Sequence, residues 1–591
     1  MAFLLSTPSI RFPLPRNGWN SDCEDSIFNA SIAGNSMKSH FHFERFFIFA
    51  VSLLLPISQR IMAQTSSAVW NVAESSNRTP HFEILNHHQV LYVDGQPFSM
   101  LAVEIPWWDL RAGHYHEDEA VYDGLYSKAK ELGANTLKVP VKWSMIEPEK
   151  DRCDFSYVDH VIKIARENHL HLVLDWFGHY ASGDGNIYEN LSGELYAPIY
   201  VVKDEKTYPR AIDGDGVLHH NAVSYDSPAV IDREVKAFRG FMEHLKSTDV
   251  EHVVVGIQLE NEISVFGADR HNPKLFRDHS PASNHKFAAH GFTDDLKYSA
   301  WDMSTAWIKP LTEAGHAAYP IPIFNNYVNG SLEPGLVGGS PGEDVQTYLE
   351  DCPNLSFIAV NAYFCAKWNG DRCESPSQGA TGELRTALQQ YATSRNVPAV
   401  TETNSGVSAV APRFAYIALG EFGAPIFAPW ALTMSYPESN EPYILHDGRL
   451  ANGALALQEA YLSMEMALPQ ILIYAGTDKL KVFQAPAEGQ GFSVTGTVNG
   501  LPLHVTGSGD GQAIVIHPSE KQLLIVGYGV EVSLEKPELV WPAMQGLHVQ
   551  RVHWSTAGWV VDGDPFYGIG QADRSLWIEL QYPQVVLITL P

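Results

Sequence analysis

Runs of apolar, often β-branched residues alternate along the middle of the chain with segments whose apolar residues recur at helical spacing. One such run begins at Val253 and continues into Gln258-Leu259-Glu260-Asn261-Glu262. This pattern predicts a buried strand. A charged side chain at the end of a buried strand is energetically costly unless it has a functional role or is paired with another group. A second short strand, Pro398-Ala399-Val400, leads into Thr401-Glu402 in the same way. The pattern therefore predicts strands that end in candidate functional carboxylates.

The strand-and-helix alternation repeats until eight strands can be counted within residues 85–470. This predicts an α/β protein with a (β/α)8 TIM barrel, whose active site would lie at the carboxyl ends of the strands. Two long polar stretches, residues 177–226 and 264–294, are predicted to be functional loops. The predicted strands are 97–104, 135–141, 171–174, 253–259, 321–324, 357–360, 398–400 and 424–428. The predicted helices are 116–132, 158–168, 231–245, 296–314, 383–394, 413–419 and 453–467.

The pattern changes beyond the barrel, where short alternating stretches are separated by Gly and Asn-Gly turns. Residues 479–591 are therefore predicted to form a C-terminal all-β, sandwich-like domain. Carbohydrate binding and a packing role are both open for it. Near the other end, Val90-Leu91-Tyr92-Val93 followed by Asp94-Gly95 predicts a hairpin.

Residues 1–63 are interpreted as a leader that contains a signal peptide. Basic residues precede an apolar run from Phe46 to Leu55, and Ala63 offers a cleavage site. The run is too short to span a membrane, although a signal anchor is the alternative. Because the run starts far from the first residue, Met37 is the preferred start. The chain is expected to be secreted, with no stable membrane insertion after cleavage, and its Asn-X-Ser/Thr sequences would then be glycosylation acceptors.

Composition narrows the classes of partner. The 591 residues carry a formal charge of -28, which is unfavourable for nucleic-acid binding, and the 14 Trp and 25 Tyr suit stacking against sugars. The spacing of Cys and His residues predicts no metal site. Cys365 and Cys373 are close enough to bridge a loop, whereas Cys153 and Cys352 are free or paired.

Two carboxylates on two strand ends of one barrel are the equipment for breaking a glycosidic bond. We assign Glu262 as the general acid/base and Glu402 as the nucleophile, against the alternative that both are structural. Asn261 would form a hydrogen bond with the sugar 2-hydroxyl, and this bond would strengthen in the transition state. Tyr363 would donate to Glu402 and keep it ionised, or else be a core tyrosine. Glu260 faces away from Asn261 and is expected to be structural.

Other strand-end residues are candidate sugar contacts. Trp143, Trp176 and Trp430 would stack on sugar faces, with core packing as the alternative for each. Glu104 would bind a hydroxyl or pair with a basic residue.

These residues resemble those of clan A glycoside hydrolases, and most closely family 35, the β-galactosidases, in a branch with an extra β-rich C-terminal domain. Val103-Glu104-Ile105-Pro106-Trp107-Trp108 is similar to the family's Gly-Glu-Ile-His-Tyr, and Leu132-Gly133-Ala134-Asn135-Thr136 to its Leu-Gly-x-Asn-Thr. Gln258 to Glu262 resembles its Gln-Ile-Glu-Asn-Glu, whose last Glu is the proton donor. Thr401-Glu402 resembles its nucleophile segment. The resemblance covers about residues 85–430 and implies catalytic glutamates on strands four and seven.

The sequence departs from the family where the sugar would be recognised. Pro140 replaces a galactose-contacting Tyr, and Asp175-Trp176 begins a segment unlike the family's third strand end. The expectation is a β-galactosidase that needs no cofactor and acts on an oligosaccharide or polysaccharide. A β-glucosidase, a β-xylosidase and an inactive carbohydrate-binding barrel are the alternatives, and the oligomeric state stays open.

Overall fold

Eight parallel strands close into a barrel in sequential order, as the alternating pattern predicts. The computed structural model describes residues 70, 75–86, 88–106, 119–178, 196–266, 272–328, 341–369, 372–403, 410–433, 442–445, 448–487, 489–535, 546–570 and 575–591. We number the barrel strands β1 to β8. They are Met100–Glu104, Thr136–Lys142, His171–Phe177, Val254–Leu259, Ile323–Val328, Phe357–Ala362, Val400–Thr403 and Ile426–Phe427. The predicted TIM-barrel class is therefore confirmed.

Amphipathic helices cover the outside of the barrel. Each predicted helix is present, with ends moved by a few residues. The sequence prediction missed several helices of the described residues. Pro281–Ala289 and the short Ile199–Lys203 lie inside the two stretches predicted to be loops, Pro341–Asp351 lies between β5 and β6, and Leu468–Tyr474 follows the last predicted helix. The main helices are Glu119–Glu131, Ser156–Glu167, Pro228–Thr248, Asp295–Asp302, Lys309–Ala318, Ala380–Tyr391, Val410–Tyr416, Asn452–Glu465 and Leu468–Tyr474. Single π-helical turns, Met303–Ile308 and Ile417–Glu421, extend two of them.

A small antiparallel sheet closes the amino-terminal end of the barrel. Its strands are His81–Leu85, His88–Val93 and Gln96–Phe98. The predicted hairpin turn is present, and Asp94 and Gly95 both have positive φ (50° and 80°), as a two-residue turn of matching twist requires. Leu91 and Val93 pack in one apolar cluster with the first inward residues of the barrel strands. Because this sheet covers the amino-terminal end, a substrate-binding site is expected at the carboxyl ends of the barrel strands.

The C-terminal region is all-β, as predicted. Its strands are Leu480–Gln484, Phe492–Val498, Leu501–Ser519, Gln522–Glu535, His548–Ser555, Gly558–Gly563, Phe566–Gly570, Ser575–Leu580 and Gln584–Thr589. The two long strands, Leu501–Ser519 and Gln522–Glu535, each run through two layers, so one hydrogen-bonded sheet folds back over its own core. Side chains alternate along Gln522–Glu535: Leu524 faces the barrel helices, whereas Leu523 faces the second layer.

Several predictions concern residues beyond those described, including the leader 1–63 and the segment around Trp107 and Trp108. Within the described residues, no helix has the length and apolar character needed to cross a membrane. Cys153 and Cys365 are each disulfide-bonded, and Cys352 is free and buried. The pairing of Cys365 with Cys373 stays a prediction, since the side chain of Cys373 lies outside the description.

Candidate active site at the carboxyl ends of the barrel strands

The barrel brings the predicted carboxylates to one rim. Glu104 ends β1, Glu402 lies in β7, and Glu262 follows the end of β4 by three residues. Because the parallel strands of a closed barrel end on one side, these side chains share a cleft. Asn361 of β6 pairs with Glu402 of β7 and donates to the carboxylate of Glu262. The two glutamates separated by 140 positions in the sequence are therefore neighbours.

The chain after β4 adopts an unusual conformation that places Glu262. Both Glu260 and Glu262 have positive φ (57° and 49°), a left-handed conformation that costs energy for residues other than glycine. The backbone N–H of Glu262 donates to Asn326 Oδ1 at 2.8 Å, and Asn361 Nδ2 donates to Glu262 Oε1 at 3.1 Å. These two bonds hold the strained turn and fix the carboxylate.

Three asparagines from neighbouring strands form one hydrogen-bonded group. Asn326 Nδ2 donates to the Oδ1 atoms of Asn261 (2.7 Å) and Asn361 (3.0 Å). Asn361 Nδ2 also donates to Asn261 Oδ1 at 3.3 Å. The side-chain oxygen of Asn261 is thus occupied within the protein. Its amide nitrogen, which has no acceptor among the described residues, is the group left for a hydroxyl, in keeping with the predicted role.

Glu402 is aimed by a β-bulge. Val360 of β6 pairs with Val400, but Asn361 pairs with Glu402, so Thr401 is an extra residue in β7. Bulges re-aim side chains next to active sites. The hydroxyl of Tyr363 donates to Glu402 Oε2 at 2.8 Å, as predicted from the sequence. Oε1 has no hydrogen-bond partner among the described residues, and the residue is only 4% exposed.

Burial raises the pKa of Glu402 well above its usual value, and the nearby Glu104 and Glu262 add to the rise. Lys138 and the hydroxyl of Tyr363 act in the opposite direction. The balance matters because a nucleophile must be ionised to attack. The groups that favour the ionised carboxylate are therefore as much part of the site as the carboxylate itself.

Lys138 is the functional residue that the sequence prediction missed. Its ammonium lies inside the barrel, 2.6 Å from Glu104 Oε2 and 3.4 Å from Asp175 Oδ2. Burial raises the pKa of Glu104 to about 8 and that of Asp175 to about 7, although Lys138 lowers both. Burial opposes the charge on Lys138, but Asp175 and Glu104 outweigh it and raise its pKa. A lysine in the middle of an apolar strand, Leu137-Lys138-Val139, was the available signal.

The predicted aromatic contacts divide into two groups. Trp143 and Trp176 are fully buried, and they donate to Glu147 Oε2 (3.2 Å) and Glu234 Oε1 (3.0 Å). The structure therefore favours core packing for both, which was the alternative at the sequence level. Trp430 instead packs beside Tyr363 at the rim, in a small separate apolar cluster.

Glu260, the rival of Glu262, is buried, and its Oε1 accepts the backbone N–H of Gly178 at 2.6 Å. This bond ties the end of β4 to the end of β3 and fits the predicted structural role. No group of three or more His, Cys, Asp and Glu side chains suited to a metal ion occurs in the described part of the chain.

Comparison with known proteins gives similar barrels at low identity. No protein-family model matches the sequence, and no curated protein matches it either. Among solved structures, the catalytic domain of a β-amylase from Paenibacillus polymyxa is 11% identical with a TM-score of 0.45, covering 61% of this chain and 96% of that one. A β-galactosidase from Bacillus circulans sp. alkalophilus is 13% identical with a TM-score of 0.44, covering 64% and 57%. A family 39 glycoside hydrolase from Bacteroides cellulosilyticus WH2 is 11% identical with a TM-score of 0.41, covering 85% and 84%. Likenesses this distant leave the activity to be argued from the residues of the chain itself.

Proposed function

We propose that the protein is a retaining β-glycosidase of the clan A type, which hydrolyses an oligosaccharide or polysaccharide. The observation that carries the proposal is that Asn361, which pairs with Glu402 across β6 and β7, donates to Glu262, so that both carboxyls lie in one cleft but in different surroundings. Glu402 is buried and accepts from Tyr363, whereas Glu262 is partly exposed and accepts from Asn361. Two carboxyls with different surroundings can take the two different roles that the reaction needs.

In the proposed mechanism, Glu402 attacks the anomeric carbon while Glu262 donates its proton to the leaving oxygen. Glu262 then removes a proton from a water molecule, whose oxygen attacks the anomeric carbon and displaces the carboxylate of Glu402, so that the sugar is released. The more exposed carboxyl suits the acid/base role because it must meet first the leaving group and then water. The amide nitrogen of Asn261 would donate to the sugar 2-hydroxyl. Glu104, which pairs with Lys138, would contact substrate only through its second carboxylate oxygen.

A β-galactoside is the first substrate to test, because the motifs around Glu104, Asn135 and Glu262 resemble those of family 35. Pro140 and Asp175 are the departures, and they lie side by side on β2 and β3. A change of sugar is therefore the second candidate, with β-glucosides and β-xylosides to be tested in parallel. We also propose that the protein is secreted and is active without residues 1–63.

The test is hydrolysis of a panel of nitrophenyl glycosides by the chain expressed from Gln64, beside Glu402→Gln, Glu262→Gln and Glu260→Gln. We expect Glu402→Gln to lose activity by orders of magnitude on every substrate. Glu262→Gln should lose least on aryl glycosides with good leaving groups, which need little protonation. Glu260→Gln is the matched control from the same turn.

The outcomes separate the candidates. Activity only on another β-glycoside would support the proposed mechanism and replace galactose by another sugar as the proposed substrate. Inactivity of Glu260→Gln with an active Glu262→Gln would reverse the assignment at the end of β4. The protein would instead be a carbohydrate-binding barrel if it bound glycans but hydrolysed no aryl glycoside and no natural glycan.

A further inference from the structure

Lys138, which was not among the site residues predicted from the sequence, contacts three other strands of the barrel. Its ammonium lies between Glu104 of β1 and Asp175 of β3, and it also donates to the backbone oxygen of Thr401 at 3.3 Å. Thr401 is the bulged residue immediately before Glu402. One buried side chain thus joins β1, β2 and β3 to β7, at the bulged residue that orients the proposed nucleophile.

We propose that Lys138 is a positioning residue for Glu402: it holds the bulge through the carbonyl oxygen of Thr401 and supplies the positive charge that keeps Glu402 ionised. This inference rests on the proposed function. The side chain of Lys138 is 0% exposed, so it is out of reach of substrate and acts through its neighbours. Glu104 and Asp175 anchor the ammonium through two ion pairs.

The charges around Glu402 explain why such a cation is needed. Glu104 on β1 and Glu262 beyond β4 both disfavour its ionised form, as does burial. Tyr363 beyond β6 and Lys138 on β2 favour it. Tyr363 offers one neutral donor, whereas Lys138 offers a full charge in a place from which water is excluded, where a charge acts strongly. Removing the ammonium should therefore leave Glu402 protonated over a wider range of pH.

The experiment compares kcat/KM against pH for the wild type, Lys138→Met and Asp175→Asn, on an aryl glycoside that the wild type hydrolyses. The acid limb of kcat/KM reports ionisation of the free enzyme. For Lys138→Met we expect this limb at a pH higher by at least one unit, which corresponds to about a tenfold loss of kcat/KM below the limb. Asp175→Asn removes an anion that interacts with Glu402, so its limb should stay in place or move to lower pH.

Lys138→Met leaves two buried carboxyls without their cation, which destabilises the folded state. The double variant Lys138→Met/Asp175→Asn removes one charge of each sign and should fold, as monitored by circular dichroism, with its acid limb at a higher pH than that of Asp175→Asn. The inference would be overturned if folded Lys138→Met had the acid limb of the wild type, or if the folded double variant had the acid limb of Asp175→Asn. Failure of both variants to fold would also overturn it, because Lys138 would then serve the barrel rather than Glu402. An inactive wild type would instead refute the proposed function.

Discussion

Replacing Tyr363 with Phe removes one hydroxyl from the proposed active site and nothing else. That hydroxyl donates to Glu402 Oε2 at 2.8 Å, and Glu402 Oε1 has no partner among the described residues to compensate for its loss. A hydrogen bond to a charged group contributes about 1.5–3 kcal/mol, and one pKa unit corresponds to about 1.4 kcal/mol. The pKa of Glu402 should therefore rise by about 1–2 units in Tyr363→Phe.

The sign of the effect on activity follows from the role of Glu402. The nucleophile attacks as a carboxylate, so a higher pKa moves the acid limb of kcat/KM to higher pH. Below both limbs, Tyr363→Phe should be slower than the wild type by about 10–100-fold, because each unit of pKa changes the ionised fraction about tenfold. Well above both limbs the difference should shrink to a few-fold.

The assay is kcat/KM from pH 4 to 9 on one activated aryl glycoside, with Tyr391→Phe as the matched control. Tyr391 is also buried, at the end of a helix outside the barrel, and its hydroxyl has no partner among the described residues. Its replacement should leave the pH profile unchanged. If Tyr363→Phe folds and its acid limb coincides with that of the control, the hydroxyl does not support Glu402 and the reasoning fails.

Three further changes test other parts of the structure. Asn326→Ala removes the acceptor for the backbone N–H of Glu262 and should lower kcat by about 10–100-fold, given about 1–3 kcal/mol for a buried group left unpaired; an unchanged kcat would contradict this. Burial raises the pKa of Glu234 from 4.5 to about 7, so the unfolded chain releases this proton first and stability falls as pH rises from 4.5 to 7, by at most roughly 3 kcal/mol. Denaturant unfolding of Glu234→Gln should show a smaller fall in the free energy of unfolding over this pH range than the wild type shows. An equal fall would refute the assignment of the pH dependence to Glu234. Gly511→Ala would place a Cβ 2.1 Å from a backbone oxygen at the bend of the C-terminal sheet and should lower the melting temperature, whereas Gly124→Ala, in an open helical position, should raise it.

The strand order and the two glutamates could be predicted because both depend on local patterns. Buried parallel strands appear as apolar runs, and an unexplained charge at the end of such a run points to the rim of a barrel. The missed helix Pro281–Ala289 has few apolar residues and buries little, so its hydrophobic periodicity is weak. Pro341–Asp351 carries four acidic residues, and its sequence is similarly uninformative.

The orientation of strand-end residues was harder to predict, because it depends on where a strand ends. The predicted third strand stopped at Leu174, whereas β3 continues to Phe177. Within a continuing strand, successive side chains point to opposite faces. Asp175 consequently faces Lys138 inside the barrel, and Trp176 faces the helix that carries Glu234. An error of three residues in one boundary was enough to suggest a sugar contact for a core tryptophan.

The bulge at Thr401 and the position of Lys138 depend on pairings between strands that are distant in sequence, so no local pattern reveals them. The bulge orients Glu402, and Lys138 supplies the positive charge next to the buried carboxyls. Glu104 and Asp175 both pair with the ammonium of Lys138, and burial raises the pKa of each of these carboxyls and of Glu402. The charges of Lys138 and Glu104 act on Glu402 in opposite directions, so a change at either residue should alter the pKa of Glu402. The ammonium of Lys138 lies closest to Glu104 and Asp175, whereas Glu402 receives a hydrogen bond from Tyr363. In the proposed mechanism, these two donors together keep Glu402 ionised, so that it can attack.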